Sequence, residues 1–138
     1  MDKTKHSVRN SMGVGYYGEL AVRKELHKQG YNVYLPQCDN DGVDLIVEHK
    51  NHDTFTRVNV KTFTKLKTNT SIELRMTKHV GTGRVQCVAV YYEPKDIIAF
   101  IPYNDKSDSL NIELGNAKNN QQKTRTWFWA YSNFPEFE

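Results

Sequence analysis

The feature that most constrains this chain is a pair of short apolar runs with polar side chains set into them. Val43-Asp44-Leu45-Ile46-Val47 carries one carboxylate among four apolar residues, and Arg57-Val58-Asn59-Val60-Lys61-Thr62 carries an amide and a lysine two positions apart. Side chains in a strand alternate faces. In the second run Val58 and Val60 therefore share one face, and Arg57, Asn59 and Lys61 the other, as in a half-buried strand. A carboxylate inside an apolar strand is costly unless it is paired or bound to a metal. If the two runs pair across the polar turn at 49–53, Asp44 comes near Asn59 and Lys61. Two readings fit that placement. In one, the carboxylate and an amide carbonyl supply hard oxygen ligands for Mg²⁺, and Lys61 steadies a phosphate or orients the attacking water. In the other, Asp44 and Lys61 form a structural salt bridge and Asn59 faces solvent.

Upstream, Tyr16–Gln29 reads as a helix, with Gly30 where a C-terminal cap belongs and Asn10 or Ser11 able to cap a start. Glu19, Val22 and Leu26 share one face at i, i+3 and i+7. Glu19 thus sits on an apolar stripe, either as a site residue or as a rim carboxylate near the positive end of the helix dipole. Gly13-Val14-Gly15-Tyr16-Tyr17-Gly18 matches GxGxxG in letters, but no strand precedes it, which argues against a dinucleotide fingerprint. Its glycines read as letting the helix start lie close to another backbone or to a phosphate.

A glycine-glutamate helix, then Gly30-Tyr31-Asn32-Val33-Tyr34-Leu35-Pro36, then the two runs above, resembles the PD-(D/E)xK nuclease superfamily. Its small members look most similar: the group I intron homing endonucleases and the archaeal Holliday junction resolvases. The resemblance covers residues 13–62 and, more weakly, Tyr91–Tyr103 with its Ile101-Pro102 ending. It implies an α/β, restriction-endonuclease-like core with a mixed β-sheet flanked by helices, and a metal-dependent DNA endonuclease. Carried over by position, the catalytic residues are Glu19, Asp44, Asn59 and Lys61. Asp44 and Asn59 would hold Mg²⁺ (or Mn²⁺) with the Val60 backbone carbonyl, Glu19 would support the ion or its waters, and Lys61 would position or activate the water. The family usually has Asp or Glu, or Gln in the homing branch, where this chain has Asn59, an amide one methylene shorter than Gln. A catalytically inactive DNA-binding module on the same fold is therefore the second reading. Homing, resolvase and restriction-type roles all stay open, with the Arg-Val-x-Val-Lys strand and the Ile-Pro ending favouring the homing branch slightly. Cutting two strands with so small a site implies a homodimer or higher homo-oligomer.

The rest of the chain frames that reading. Its 138 residues suggest a single nuclease-like domain, with 1–11 as a flexible arm. The formal charge is only +3. However, 57–84 holds seven Lys or Arg against Glu73 alone, so that block is +6 and the remainder −3. Arg57, Lys65, Lys67, Arg75, Lys78 and Arg84 are thus candidate contacts to a DNA backbone, the alternative being a solvated basic face. Phe63–Thr70 reads as a loop over the substrate and Thr77–Arg84 as a mobile glycine-containing segment. Further strands are expected at Tyr31–Pro36, at Ser71–Met76, in a hairpin of Val85–Tyr92 and Asp96–Ile101, and around Leu110–Leu114. Asp39 and Asp41 read as turn chemistry. His49 and His52 read as solvated turn histidines, since a lone HxxH is poor grounds for zinc. Trp127, Phe128, Trp129, Tyr131, Phe134 and Phe137 read as closing a core or a dimer interface, in preference to stacking on bases. Cys38 and Cys87 form no disulfide framework, and the chain shows neither a signal peptide nor a membrane-length apolar run, so a cytoplasmic setting is expected.

Overall fold

The computed structural model describes residues 10–38, 41–115 and 126–136. Helix α1 spans Ser11–Lys28. Asn10 caps it by accepting the Gly13 N–H through its side chain at 3.0 Å, and Gly30, at φ +92°, turns the chain out at the far end. Residues 10 and 11, expected in a loose arm, therefore belong to the helix and its cap, and the rest of that arm lies outside the described residues. The helix starts ahead of Tyr16 because the Asn10 cap outweighs the low helix propensity of Gly13 and Gly15.

Eight strands follow among the described residues: β1 Asn32–Tyr34, β2 Leu45–Glu48, β3 Phe55–Phe63, β4 Ser71–Arg75, β5 Cys87–Tyr92, β6 Ile97–Pro102, β7 Ser109–Glu113 and β8 Thr126–Trp127. Five form a mixed sheet in the order β1-β2-β3-β5-β6, in which only β3 and β5 run parallel. A parallel pair needs a long crossover. Here the crossover carries β4, which joins β7 and β8 in a separate three-stranded sheet.

The two faces of the main sheet bury different cores. On one face Val22 and Leu26 of α1 meet Leu45, Val47, Val58, Cys87, Ala89, Tyr91, Phe100 and Phe134. On the other, Ile72, Leu74 and Ile112 of the small sheet meet Val88, Val90, Ala99, Ile101 and Phe128. Strand β5 is buried at all six positions, its odd residues facing α1 and its even ones the small sheet. That explains its unbroken apolar run. The expected mixed sheet is thus present, with α1 over one face and strands over the other. No helix among the described residues is long and apolar enough to cross a membrane.

Two local features fix the layers. Gly18 is buried, and a Cβ there would overlap the Thr62 side chain. The close approach suggested by the glycines is therefore one of α1 to β3. At the other end of the sheet His49, expected in solvent, is only 2% exposed. Its Nδ1 donates to Glu136 Oε2 at 2.7 Å, and its Nε2 is hydrogen-bonded to the Thr56 hydroxyl. The 126–136 segment covers it: Phe134 packs on Tyr31, His49 and Phe100. His52 stays exposed and pairs with Glu48. The aromatic segment closes both cores, through Phe128 and Phe134, while Phe137 lies outside the described residues.

Gly18→Val should destabilise the protein by about 1–3 kcal/mol in urea unfolding, the usual range for overpacking, and Thr62→Ala in the same chain should recover part of the loss. The Glu136 carboxyl is held below the ordinary glutamate range, chiefly by the His49 hydrogen bond, with burial opposing. A depressed carboxyl stabilises the fold at neutral pH and loses that contribution as pH falls through its lowered value. The stability gap between wild type and Glu136→Gln should therefore be full at pH 7 and shrink below the ordinary glutamate value of 4.5.

Candidate active site

The site forms where β2 leaves β3. The last paired residues are Leu45 and Val58. One position further, the Asp44 N–H still donates to the Val58 carbonyl at 2.8 Å. After that the Asp44 side chain takes over the ladder: its Oδ2 accepts the Val60 N–H at 2.7 Å. In a strand a residue's N–H and C=O point to the same side, so the Val60 carbonyl faces the same opening. Asn59 and Lys61, one residue to either side of Val60, point to the face away from α1, because Val58 and Val60 pack toward the helix.

Asn59 is 6% exposed. Its Nδ2 donates to the Gly42 carbonyl at 2.7 Å and to Asp44 Oδ2 at 3.3 Å. The Gly42 carbonyl can only accept, so it fixes which end of the amide is nitrogen. The amide nitrogen, not the oxygen, thus faces Asp44, and Asn59 Oδ1 is buried without a partner. Asp44, Asn59, Val60 and Lys61 line one open cleft of about 560 Å³ with Asp41, Gly42, Lys78, His79, Thr82 and Arg84. Burial pushes the Lys61 ammonium below the ordinary lysine range; the Asp44 carboxylate opposes this and Lys78 adds to it.

Not every expected residue comes to this cleft. Glu19 is half-buried on α1, next to the Gly18 contact with Thr62, and is not among the residues lining it. Of the basic candidates, Lys78 and Arg84 line it. Arg57 is used internally, donating to the carbonyls of Arg84 at 2.6 Å and Gly83 at 2.9 Å. Lys67 and Arg75 pair with Glu73 on the small sheet, and Lys65 is exposed outside the cleft. Asp41 makes the expected turn contact with the Val43 N–H and also pairs with Arg84 at 2.8 Å. The segment expected to be mobile, 77–84, forms a wall of the cleft. It is tied by Arg57, by Asp105 accepting the Gly83 N–H, and by the Asp41–Arg84 pair. The sequence reading passed over His79, which lies in that wall. A single imidazole between Lys78 and Val80 gives no periodic signal.

The residues present fit a hard divalent cation. The Asp44 carboxylate and the Val60 carbonyl are oxygen donors at one opening, the Asn59 amide turns its nitrogen to Asp44 and leaves its Oδ1 as an unpartnered buried acceptor, and the cleft has room for waters. Among the described residues no three His, Cys, Asp or Glu side chains gather as a ready-made ligand set. With Asp41 paired to Arg84, an ion here would depend on the Asp44 carboxylate, the Val60 carbonyl and water.

A helix packed on a mixed sheet, with two antiparallel strands that part at an aspartate and a lysine on the next turn of the pleat, defines the restriction-endonuclease-like α/β class. Residues 10–134 match the family described as PD-(D/E)XK endonuclease, and the chain belongs to that family. The bacterial homing endonuclease I-Ssp6803I has a similar structure, with a TM-score of 0.61 and 18% identity over 82% of this chain and 80% of that one. Hjc, a Holliday junction resolvase from the archaeal hyperthermophile Archaeoglobus fulgidus, is similar at a TM-score of 0.49 and 19% identity, over 72% of this chain and 83% of that one. The first likeness is one of fold, and the second is too slight to argue from. No curated protein matches the sequence.

Asn59→Asp would restore the carboxylate usual at this position. It would also set a negative charge against Asp44 and the Gly42 carbonyl, 2.7 Å from the present amide nitrogen. The variant should lose about 1–3 kcal/mol of stability in EDTA, the range for a buried polar group left badly paired. Millimolar Mg²⁺ should raise its melting temperature more than that of wild type, as linkage requires of an ion bound only by the folded state. Thermal melts with and without the ion check both statements.

Proposed function

We propose that this chain is a metal-dependent DNA endonuclease that hydrolyses phosphodiester bonds, with Asp44, Val60, Asn59 and Lys61 at its centre. One observation carries the reading: the Asp44 carboxylate ends the β2–β3 ladder on the Val60 N–H, beside a half-buried lysine, in an open cleft. Asp44 and the Val60 carbonyl would hold the ion, with Mg²⁺ favoured and Mn²⁺ able to replace it. Asn59 would hold Asp44 in place and, if its amide turns, add a ligand. Glu19, on α1 beside the point where it meets β3 and outside the cleft lining, would support the ion's waters. When bound, the ion would polarise the phosphoryl oxygen and lower the pKa of a water. Lys61, with its depressed pKa, would orient that water or take its proton for in-line attack. Lys78 and Arg84 would meet the backbone, which fixes register and not sequence. Cutting both strands, or resolving a junction, needs two such sites, so the working unit would be a homodimer or higher assembly. Both cysteines are free, which suits a reducing, cytoplasmic setting.

The orientation of Asn59 favours a second reading. Its amide nitrogen satisfies Asp44 without any ion, as in a DNA-binding module that no longer cuts. Cleavage of supercoiled plasmid and of a four-way junction, in Mg²⁺, Mn²⁺ and EDTA, separates the two. The nuclease should nick in either metal and not in EDTA. Lys61→Ala and Asp44→Ala should each lower the rate by about 10²–10⁴-fold, the scale for losing a positioned proton-transfer or charge-stabilising group. Binding without cutting in either metal would support the module.

A further inference from the structure

We infer that His79 is a substrate-contacting residue of this cleft, its imidazole donating a hydrogen bond to a DNA phosphate oxygen beside Lys61 and Lys78. The inference rests on the DNA-binding part of the function proposed above and adds a residue that the family pattern does not assign.

The placement is specific. His79 is 8% exposed, yet it lines the cleft with Asp44, Asn59, Lys61 and Lys78. Its ring lies on the Gly42 backbone: a Cβ at Gly42 would fall 2.5 Å from His79 Cε1 and 2.8 Å from Nδ1. Gly42 has φ +84°, so a side chain there would be strained as well as obstructed. The same Gly42 gives its carbonyl to Asn59. His79 is therefore seated on the segment that sets Asn59 and, through it, Asp44. Its main chain is held independently, its N–H donating to the Met76 carbonyl at 2.8 Å and its carbonyl accepting from the Thr82 hydroxyl at 2.9 Å.

Among the described residues nothing hydrogen-bonds either ring nitrogen. Neither ring nitrogen is among the sealed, unpartnered polar atoms of the described residues, so the mostly buried ring presents its polar edge to the cleft. The groups lining the cleft with it are Lys61 and Asn59 of β3, Lys78 of its own turn, Asp41 and Asp44 before β2, and Arg84 across the mouth. Asp41 is engaged by Arg84 and Asp44 by Val60 and Asn59. The charged groups of the cleft that those pairings leave without a carboxylate partner are Lys61 and Lys78, beside the neutral Asn59 amide. Burial lowers the His79 pKa, and Lys61 and then Lys78 lower it further, so a neutral ring is kept as one donor and one acceptor. An anion between those lysines would complete what the fold leaves open, and the anion that a DNA-binding cleft meets is the phosphodiester.

The test is DNA affinity in EDTA or in Ca²⁺ at low salt, with His79→Gln and His79→Leu beside wild type. Ring signals of histidine-labelled wild type are followed as DNA is added. Leu fills the space on Gly42 without a donor, whereas Gln keeps one. His79→Leu should bind roughly tenfold more weakly, the scale of one hydrogen bond to a charged group. His79→Gln should recover much of that, and the His79 ring nitrogens should shift on DNA addition. Equal affinity of His79→Leu and wild type, or a His79 signal that does not move, would overturn the inference and leave the nuclease reading standing. Equal weakening by both variants, with equal loss of melting temperature, would make His79 a packing residue and overturn it too. Wild type that binds no DNA in either condition would bring down the functional reading itself, and this inference with it.

Discussion

The hydrogen bond from the Val60 N–H to Asp44 is the point on which the rest of the site depends. A ladder between antiparallel strands normally continues or frays. Here a carboxylate stands in for the next carbonyl, so the two backbones can separate while the N–H stays satisfied. The separation makes the cleft, and the charge that permits it is the charge the cleft needs. A charge-assisted bond of this kind is stronger than a neutral one, and its geometry passes along β3, where the register that aims Val60 at Asp44 also aims Lys61 at the opening. Asn59 braces the arrangement from the side by tying Asp44 to the Gly42 carbonyl.

Much of this was legible in the residues. Alternation in 57–62 gives the two faces of β3, and the apolar run around Asp44 gives its neighbour, because period-2 patterning is a local property. The antiparallel pairing follows from the short polar turn between them. What the pattern does not carry is the far partner of a side chain. His49 reads as a turn histidine until Glu136 and Phe134 arrive from the other end of the described chain. Arg57 reads as a DNA contact until its guanidinium is seen on the carbonyls of Gly83 and Arg84. The glycines of 81–84 suggest mobility because composition is blind to the bonds from Arg57 and Asp105 that fix the segment. The orientation of the Asn59 amide likewise depends on the Gly42 carbonyl, seventeen residues away.

A contrast within the molecule shows how far geometry alone goes. Thr56, His49 and Glu136 line up as hydroxyl, imidazole and carboxylate, the order of groups in a nucleophilic triad. Thr56 is 1% exposed and His49 2%, so no substrate atom can reach the hydroxyl. That line serves as an internal tie between the β2–β3 turn and the 126–136 segment. The Asp44 cleft has the opposite character: fewer ideal contacts, an open mouth and an unpartnered acceptor.

The tie at Glu136 and Phe134 also bears on how the protein is made. The Phe134 N–H bonds to the Gln29 side chain, 105 residues earlier, and Phe134 fills the core that α1 covers. During synthesis α1 leaves the ribosome well before Phe134, so its apolar stripe has no complete partner until Phe134 has followed. Until then the core over Val22 and Leu26 lacks its last aromatic member, and incompletely packed apolar surface favours off-pathway association. Contacts so distant in sequence also slow the search for the native arrangement.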